Sequence, residues 1–191
     1  MSRSESRTRP LLGEASKVYK LFKSGEHANF ILAMSLIDAV LEGLEVLLDD
    51  LHLTDDGQIK GDKRFKGNDK NQHHLNALMW TLLTSSPSKK AKELRDKVKI
   101  IDTTTSSIPA LSGFSNIEKA TIRIGVESVT ENLTFLGSTP SLKSLSLQIQ
   151  HTPFNPTGKK PGQLKSLKGL DAPNLISLTA SAGLLDISGI E

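Results

Sequence analysis

The sequence predicts an α/β solenoid, or an α+β arrangement, in which a helical N-terminal cap of about four helices is followed by a short stack with one parallel strand per repeat. Two observations predict it. A phrase of the form apolar-x-x-apolar-x-apolar-x-apolar occurs three times in the second half: Ile117-Glu-Lys-Ala120-Thr-Ile122-Arg-Ile124, Leu142-Lys-Ser-Leu145-Ser-Leu147-Gln-Ile149 and Leu175-Ile-Ser-Leu178-Thr-Ala180-Ser-Ala182. In the first half, apolar residues recur three and four apart, the spacing of one helix face.

The phrases have a direct physical reading. The last three apolar positions alternate, as in Leu145, Leu147 and Ile149. Alternation sends those side chains to one side of a strand and their neighbours to the other. Thr121, Ser146 and Thr179 then form one outward column, and Arg123, Gln148 and Ser181 the next. Each phrase follows a shorter one: Leu111-Ser-Gly-Phe114, Leu133-Thr-Phe-Leu136 and Leu167-Lys-Gly-Leu170, with a fourth copy at Ile187-Ser-Gly-Ile190. The starts at 111, 133, 167 and 187 lie 22, 34 and 20 residues apart. One such unit cannot bury its apolar face alone, so neighbours must stack. Gly137-Ser-Thr-Pro140 and Asp171-Ala-Pro-Asn174 supply turns between strands. The longest spacing contains the insertion His151 to Gly162, whose three prolines and two glycines exclude a helix or a central strand. It is expected to protrude as a loop.

These units resemble leucine-rich repeats, whose core is L-x-x-L-x-L-x-x-N/C-x-L. The resemblance covers roughly the last 80 to 90 residues and is specific at the L-x-x-L-x-L part. At the Asn place stand Gly125, Gln150 and Gly183, which cannot build the usual asparagine ladder. The likeness is therefore to irregular repeats of the kind found in many bacterial proteins. It implies a scaffold that recognises another protein on its exposed strand face.

Composition narrows the class. Apolar residues make up 37% and aromatic residues 4%, which suits a core of Leu and Ile. Cysteine is absent, excluding disulfides and thiolate chemistry. The N-terminus is polar, without the apolar run of a signal peptide. The apolar stretch from Phe30 to Leu53 is broken by Asp38, Glu42, Glu45, Asp49 and Asp50, so it does not read as a membrane span. A cytoplasmic protein is expected. The net charge of +3 permits an acidic partner without demanding one.

Along the chain, residues 1–9 are expected to be a disordered tail, 10–97 a helical domain, and 98–191 the repeats, incomplete at the C-terminus. A first helix runs from Leu11 to Lys23 and stops at Ser24-Gly25. A second starts at His27 and carries Phe30, Ala33, Met34, Ile37, Leu41, Leu44 and Leu48. Ile31, Leu36, Val40 and Leu47 widen its apolar stripe, which predicts a central helix ending near residues 51–53. The polar segment 54–70 is expected to be a mobile loop. Residues 73–84 resume helical spacing, and Ser88 caps a fourth helix through Arg95. Val98 to Ile101 reads as the first strand of the stack, and residues 103–107 as a linker.

No constellation with catalytic chemistry emerges, and a non-enzymatic protein without cofactor or metal is expected. Asp55-Asp-Gly-Gln-Ile59 has the middle of a calcium loop, but its first and twelfth places fall on His52 and Lys63. A lysine at the bidentate place repels the ion. His73 and His74 are adjacent and diverge on a helix, so they do not share a metal. No G-x-S-x-G, phosphate-binding loop or dinucleotide fingerprint is present.

The partner expected is therefore another protein, met by Thr121, Arg123, Ser146, Gln148, Thr179 and Ser181. Two alternatives stand beside it. The cations Lys60, Lys63, Arg64, Lys66 and Lys70, with Arg3, Arg7 and Arg9, suit weak electrostatic contact with nucleic acid, although Phe65 is the only aromatic residue near them. The chain also stops one phrase into a new unit. That predicts a fragment or truncation of a longer array, or self-association through Ile187 and Ile190. No membrane partner is expected.

Overall fold

The computed structural model describes residues 9–105, 111, 113–124, 129–130, 137–149, 163–164 and 169–180. Over these residues the fold is mixed α/β, with four α-helices ahead of a four-stranded parallel sheet.

Helices α1 (Gly13–Lys23) and α2 (His27–Leu44) form a hairpin. They approach closely because Gly43 has no side chain: a Cβ there would lie 2.8 Å from that of Ala15. A 3-10 helix, Glu45–Asp50, follows, and then strands β1 (Leu51–Leu53) and β2 (Ile59–Gly61), paired antiparallel. A second 3-10 turn, Lys63–Phe65, leads to α3 (Gln72–Ser85) and α4 (Lys89–Lys97). Ser88 caps α4 as expected, its hydroxyl accepting from the Ala91 amide at 3.3 Å.

Helix α3 is the centre of the core. It buries His74, Leu75, Ala77, Leu78, Met79, Trp80, Leu82 and Leu83. Each fully buried leucine is worth about 1.5–3 kcal/mol of apolar transfer. This corrects the expectation that α2 is central. Helix α2 buries Phe30, Ala33, Ile37 and Leu44 but leaves Ile31, Leu32 and Leu36 exposed. It also ends earlier than its apolar pattern predicts. The Arg64 guanidinium bonds the Val46 carbonyl at 3.2 Å, the Arg9 carbonyl at 3.0 Å and the Asp50 carboxylate. The bonds to Val46 and Asp50 fall where the chain continues in 3-10 geometry as Glu45–Asp50.

The polar segment 54–70 is likewise not an unstructured loop. It contains β2 and the second 3-10 turn, and it buries Ile59 and Phe65. Its tip builds the first rung of the parallel sheet. The Gly57 carbonyl accepts from the amides of Lys99 and Ile100 at 2.9 and 3.3 Å, and Gln58 bridges Ile100 in parallel. Gly57 has φ +82°, and a Cβ on it would sit 2.9 Å from Cβ of Lys99, so the tight approach requires glycine.

Strands β3 (Ile100–Thr105), β4 (Lys119–Ile124), β6 (Ser144–Ile149) and β8 (Ser177–Ala180) lie in that order, all parallel. Strand β3 runs through Thr105, where a linker is expected from residue 103. Thr103 pairs with Ile122 and is buried, a place that β-branched threonine fills readily. Each strand opens on the same contact. The Lys99 carbonyl accepts from Glu118 and Lys119, the Glu118 carbonyl from Lys143 and Ser144, and the Lys143 carbonyl from Ile176 and Ser177. A second parallel pair joins β5 (Val129–Thr130) to β7 (Gln163–Leu164). Residues 151–162 lie outside the described residues.

One apolar core runs through both parts. Val98, Ile101, Leu111, Phe114, Ile117, Ala120, Ile122, Leu142, Leu145 and Leu147 belong to the same buried cluster as the leucines of α3.

Candidate interaction face

The alternation that buries Ala120, Ile122, Leu145 and Leu147 turns their neighbours outward. Register makes these into columns. Asp102, Thr121, Ser146 and Thr179 stand side by side across the four strands, and Arg123 stands beside Gln148. The sheet thus brings together five of the six residues expected on the face. Thr179 is exposed, and Thr121, Arg123, Ser146 and Gln148 are half-buried. Ser181 lies outside the described residues, as do Ile187 and Ile190.

The face has internal structure. Arg123 is tied diagonally to the carboxylate of Asp102, at side-chain exposures of 35% and 42%. That pair fixes the guanidinium in place and reduces its charge toward a ligand. The Gln148 amide donates to the Ser146 hydroxyl at 3.4 Å. Small hydroxyls and one amide leave a low, open surface able to donate and accept hydrogen bonds.

Sequence reasoning missed the row just upstream. Lys99, Glu118, Lys143 and Ile176 are equivalent positions, each directly after the first apolar residue of its phrase. Glu118 joins its two neighbours, 2.9 Å from Lys143 and 3.9 Å from Lys99. The hydrogen bond and charge of Lys143 hold the Glu118 carboxyl below its usual value of 4.5. Ile176 ends the row at 84% exposure. These residues border a groove of about 680 Å³ along the upstream rim of the sheet, which Pro140, Ser141 and Asn174 also line.

The rim carries a side-chain ladder. Asn116 donates to the Asp96 carbonyl, Ser141 to the Ser115 carbonyl and Asn174 to the Pro140 carbonyl, each at 2.7 Å. All three donors directly precede the first apolar residue of a phrase: Ile117, Leu142 and Leu175. Each bond ties the start of one phrase to the chain before the preceding strand or phrase. The signal was present in the sequence as a polar residue before each phrase.

The other candidates resolve as structure. The stretch with a calcium-loop centre is a hydrogen-bonded turn, in which the Thr54 hydroxyl meets the Gln58 carbonyl at 3.0 Å and the Asp56 carboxylate. The His74 ring stacks on Phe30 with centres 4.5 Å apart, beside His73 on the same helix. Among the described residues no group of three or more His, Asp or Glu side chains is placed to hold a metal ion. No helix among them is long and apolar enough to cross a membrane.

In comparison with known proteins, no family model, no curated protein and no solved structure matches this chain.

Proposed function

We propose that this chain is a non-enzymatic recognition module of the leucine-rich-repeat kind, with the helical part capping a short solenoid and the outward strand face meeting another protein. The observation that carries the reading is the register of Thr121 with Ser146 and of Ser146 with Thr179. It aligns small polar side chains across successive repeats while the opposite side of the same strands fills the core. Solenoids use such columns to present one continuous surface to a partner. The assignment of a binding role rests on that architecture by analogy.

The nucleic-acid alternative finds less support. Within the basic segment Arg64 is committed to Asp50, Val46 and Arg9, and Phe65 is buried, so it offers no ring for base stacking.

The test is a comparative capture experiment with three immobilised proteins: the unaltered chain, Ser146→Arg on the strand face, and Lys92→Glu on α4. A protein retained by the first and third but lost from Ser146→Arg supports the reading. Retention unaffected by Ser146→Arg overturns it. So does bound nucleic acid released by a modest rise in salt.

A further inference from the structure

A second exposed surface stands apart from the strand face among the described residues. Helix α2 is apolar on both sides. Its inner side carries Phe30, Ala33, Ile37 and Leu44 into the core. Its outer side exposes Ala28, Ile31, Leu32, Ser35, Leu36 and Ala39. Among the described residues five large hydrophobic side chains are exposed, and three of them sit on this one helix: Ile31 at 54%, Leu32 at 48% and Leu36 at 39%. Single exposed apolar residues need no explanation, but a contiguous group marks a contact surface. Helical spacing puts Ile31 on one side of the small residues Ser35 and Ala39 and Leu32 and Leu36 on the other, which sets out a shallow apolar trough along about 17 Å of helix.

The charges around this trough choose its occupant. From Ser24 to Ile59 the chain has no lysine or arginine. Asp38 and Glu42 are exposed on the outer side of α2, one helical turn apart, and among the described residues neither forms an ion pair. The nearby acids are otherwise used: Asp49 is bound by Arg9 and Lys90, Asp50 by Arg64, and Glu45 accepts from Ser86. A second copy of the chain would bring Asp38 and Glu42 against their own images. An anionic lipid surface would meet them with like charge. Lysines at i and i+4 on an apolar-faced helix would satisfy both the trough and the two carboxylates.

We propose that the outer face of α2 is a docking site for a basic amphipathic helix of a partner protein, separate from the strand face. The trough supplies apolar contact and the Asp38–Glu42 pair sets orientation.

The experiment uses the full chain and a labelled peptide of leucine and lysine, with leucines at i, i+3, i+4 and i+7, read by fluorescence anisotropy. A peptide of the same composition with scrambled order is the control. The patterned peptide should bind more tightly than the scrambled one. The double variant Leu32→Ser, Leu36→Ser should weaken it about tenfold, which is the loss of one modest apolar anchor. Asp38→Lys with Glu42→Lys should weaken it at least as much and remove its salt dependence, and this variant decides the matter if the serine variant folds poorly. Arg123→Ala on the strand face should change nothing. Equal binding of both peptides overturns the proposal, as does undiminished binding by the lysine variant. Light scattering that shows a dimer of the unaltered chain, lost in Leu32→Ser, overturns it in favour of a second copy.

Discussion

The indole of Trp80 on α3 meets the ring of Phe114 edge-on, with ring centres 5.9 Å apart and planes at 68°. Trp80 is the only tryptophan, and both side chains are almost wholly buried. The contact joins the helical part to the first short phrase of the repeats. Phe114→Ala should therefore cost about 3–5 kcal/mol, the range for truncating a buried phenylalanine. Urea unfolding would show it as a lowered midpoint. The emission of Trp80 should move to longer wavelength in the folded variant, since water reaches the indole. Fluorescence and circular dichroism should report one coincident transition in the unaltered chain, because the core is continuous. Two separate transitions would mean that helices and sheet are independent units.

Arg64 should be the most costly polar residue to remove. Its guanidinium holds Asp50, the Val46 carbonyl and the Arg9 carbonyl, while its own carbonyl accepts from the Tyr19 hydroxyl at 2.6 Å. The pair with Asp50 is largely shielded, at exposures of 16% and 12%. Arg64→Ala leaves a buried carboxylate and should cost about 3 kcal/mol. Arg64→Lys should recover little of it, because an ammonium cannot span three acceptors in a planar fork. A fully restored urea midpoint in the lysine variant would refute the fork argument.

What the sequence revealed follows from where the information lies. Residues that repeat, such as Leu145 and Leu147 against Ala120 and Ile122, announce both strand and register, since a slip by one would expose them. The cap of α4 was legible because Ser88 acts on its own neighbour. Segment 54–70 was not, because its order depends on distant partners. Gly57 is shaped by Lys99, and Phe65 is a lone apolar residue in a charged stretch. The apolar pattern of α2 misled for the opposite reason: it records two apolar faces, and only one meets the core.

The site divides the same way. Alternation was enough to align Thr121, Ser146 and Thr179. It did not give the Asp102–Arg123 pair, which depends on β3 running on beyond Ile101 into the expected linker. Nor did it give the rim of Lys99, Glu118 and Lys143, whose residues share a place in the phrase but not a chemical type.

The rim ladder invites a stability test. Asn174 donates to Pro140, Ser141 to Ser115 and Asn116 to Asp96. Each truncation to alanine removes one hydrogen bond at the surface and should cost about 1 kcal/mol. Asn116 and Asn174 share no partner, so their double variant should lose the sum to within about 0.5 kcal/mol. Chemical denaturation measures both. A loss far beyond the sum would show that the ladder acts as one cooperative unit.

The Glu118 row gives a dependence on pH whose direction can be stated. Lys143, through its hydrogen bond and then its charge, holds the folded-state carboxyl below its ordinary value of 4.5, with Lys99 adding to the effect. A carboxyl with a lowered folded-state pKa binds more protons when the chain is unfolded. Its contribution is complete above the ordinary value and is lost as pH falls through the lowered one. The stability difference between the unaltered chain and Glu118→Gln should thus be constant from neutral pH down to about 5 and shrink below that. Asp49 will add to the acid loss in both proteins. Its burial opposes charging, but Arg9 and Lys90 outweigh that and lower its pKa as well. Because Glu118 is open to solvent, added salt should reduce the difference at neutral pH. Urea midpoints of the two proteins across pH 3 to 7 decide the point: a difference that widens as pH falls would reverse the sign and remove the Lys143 pairing as its cause.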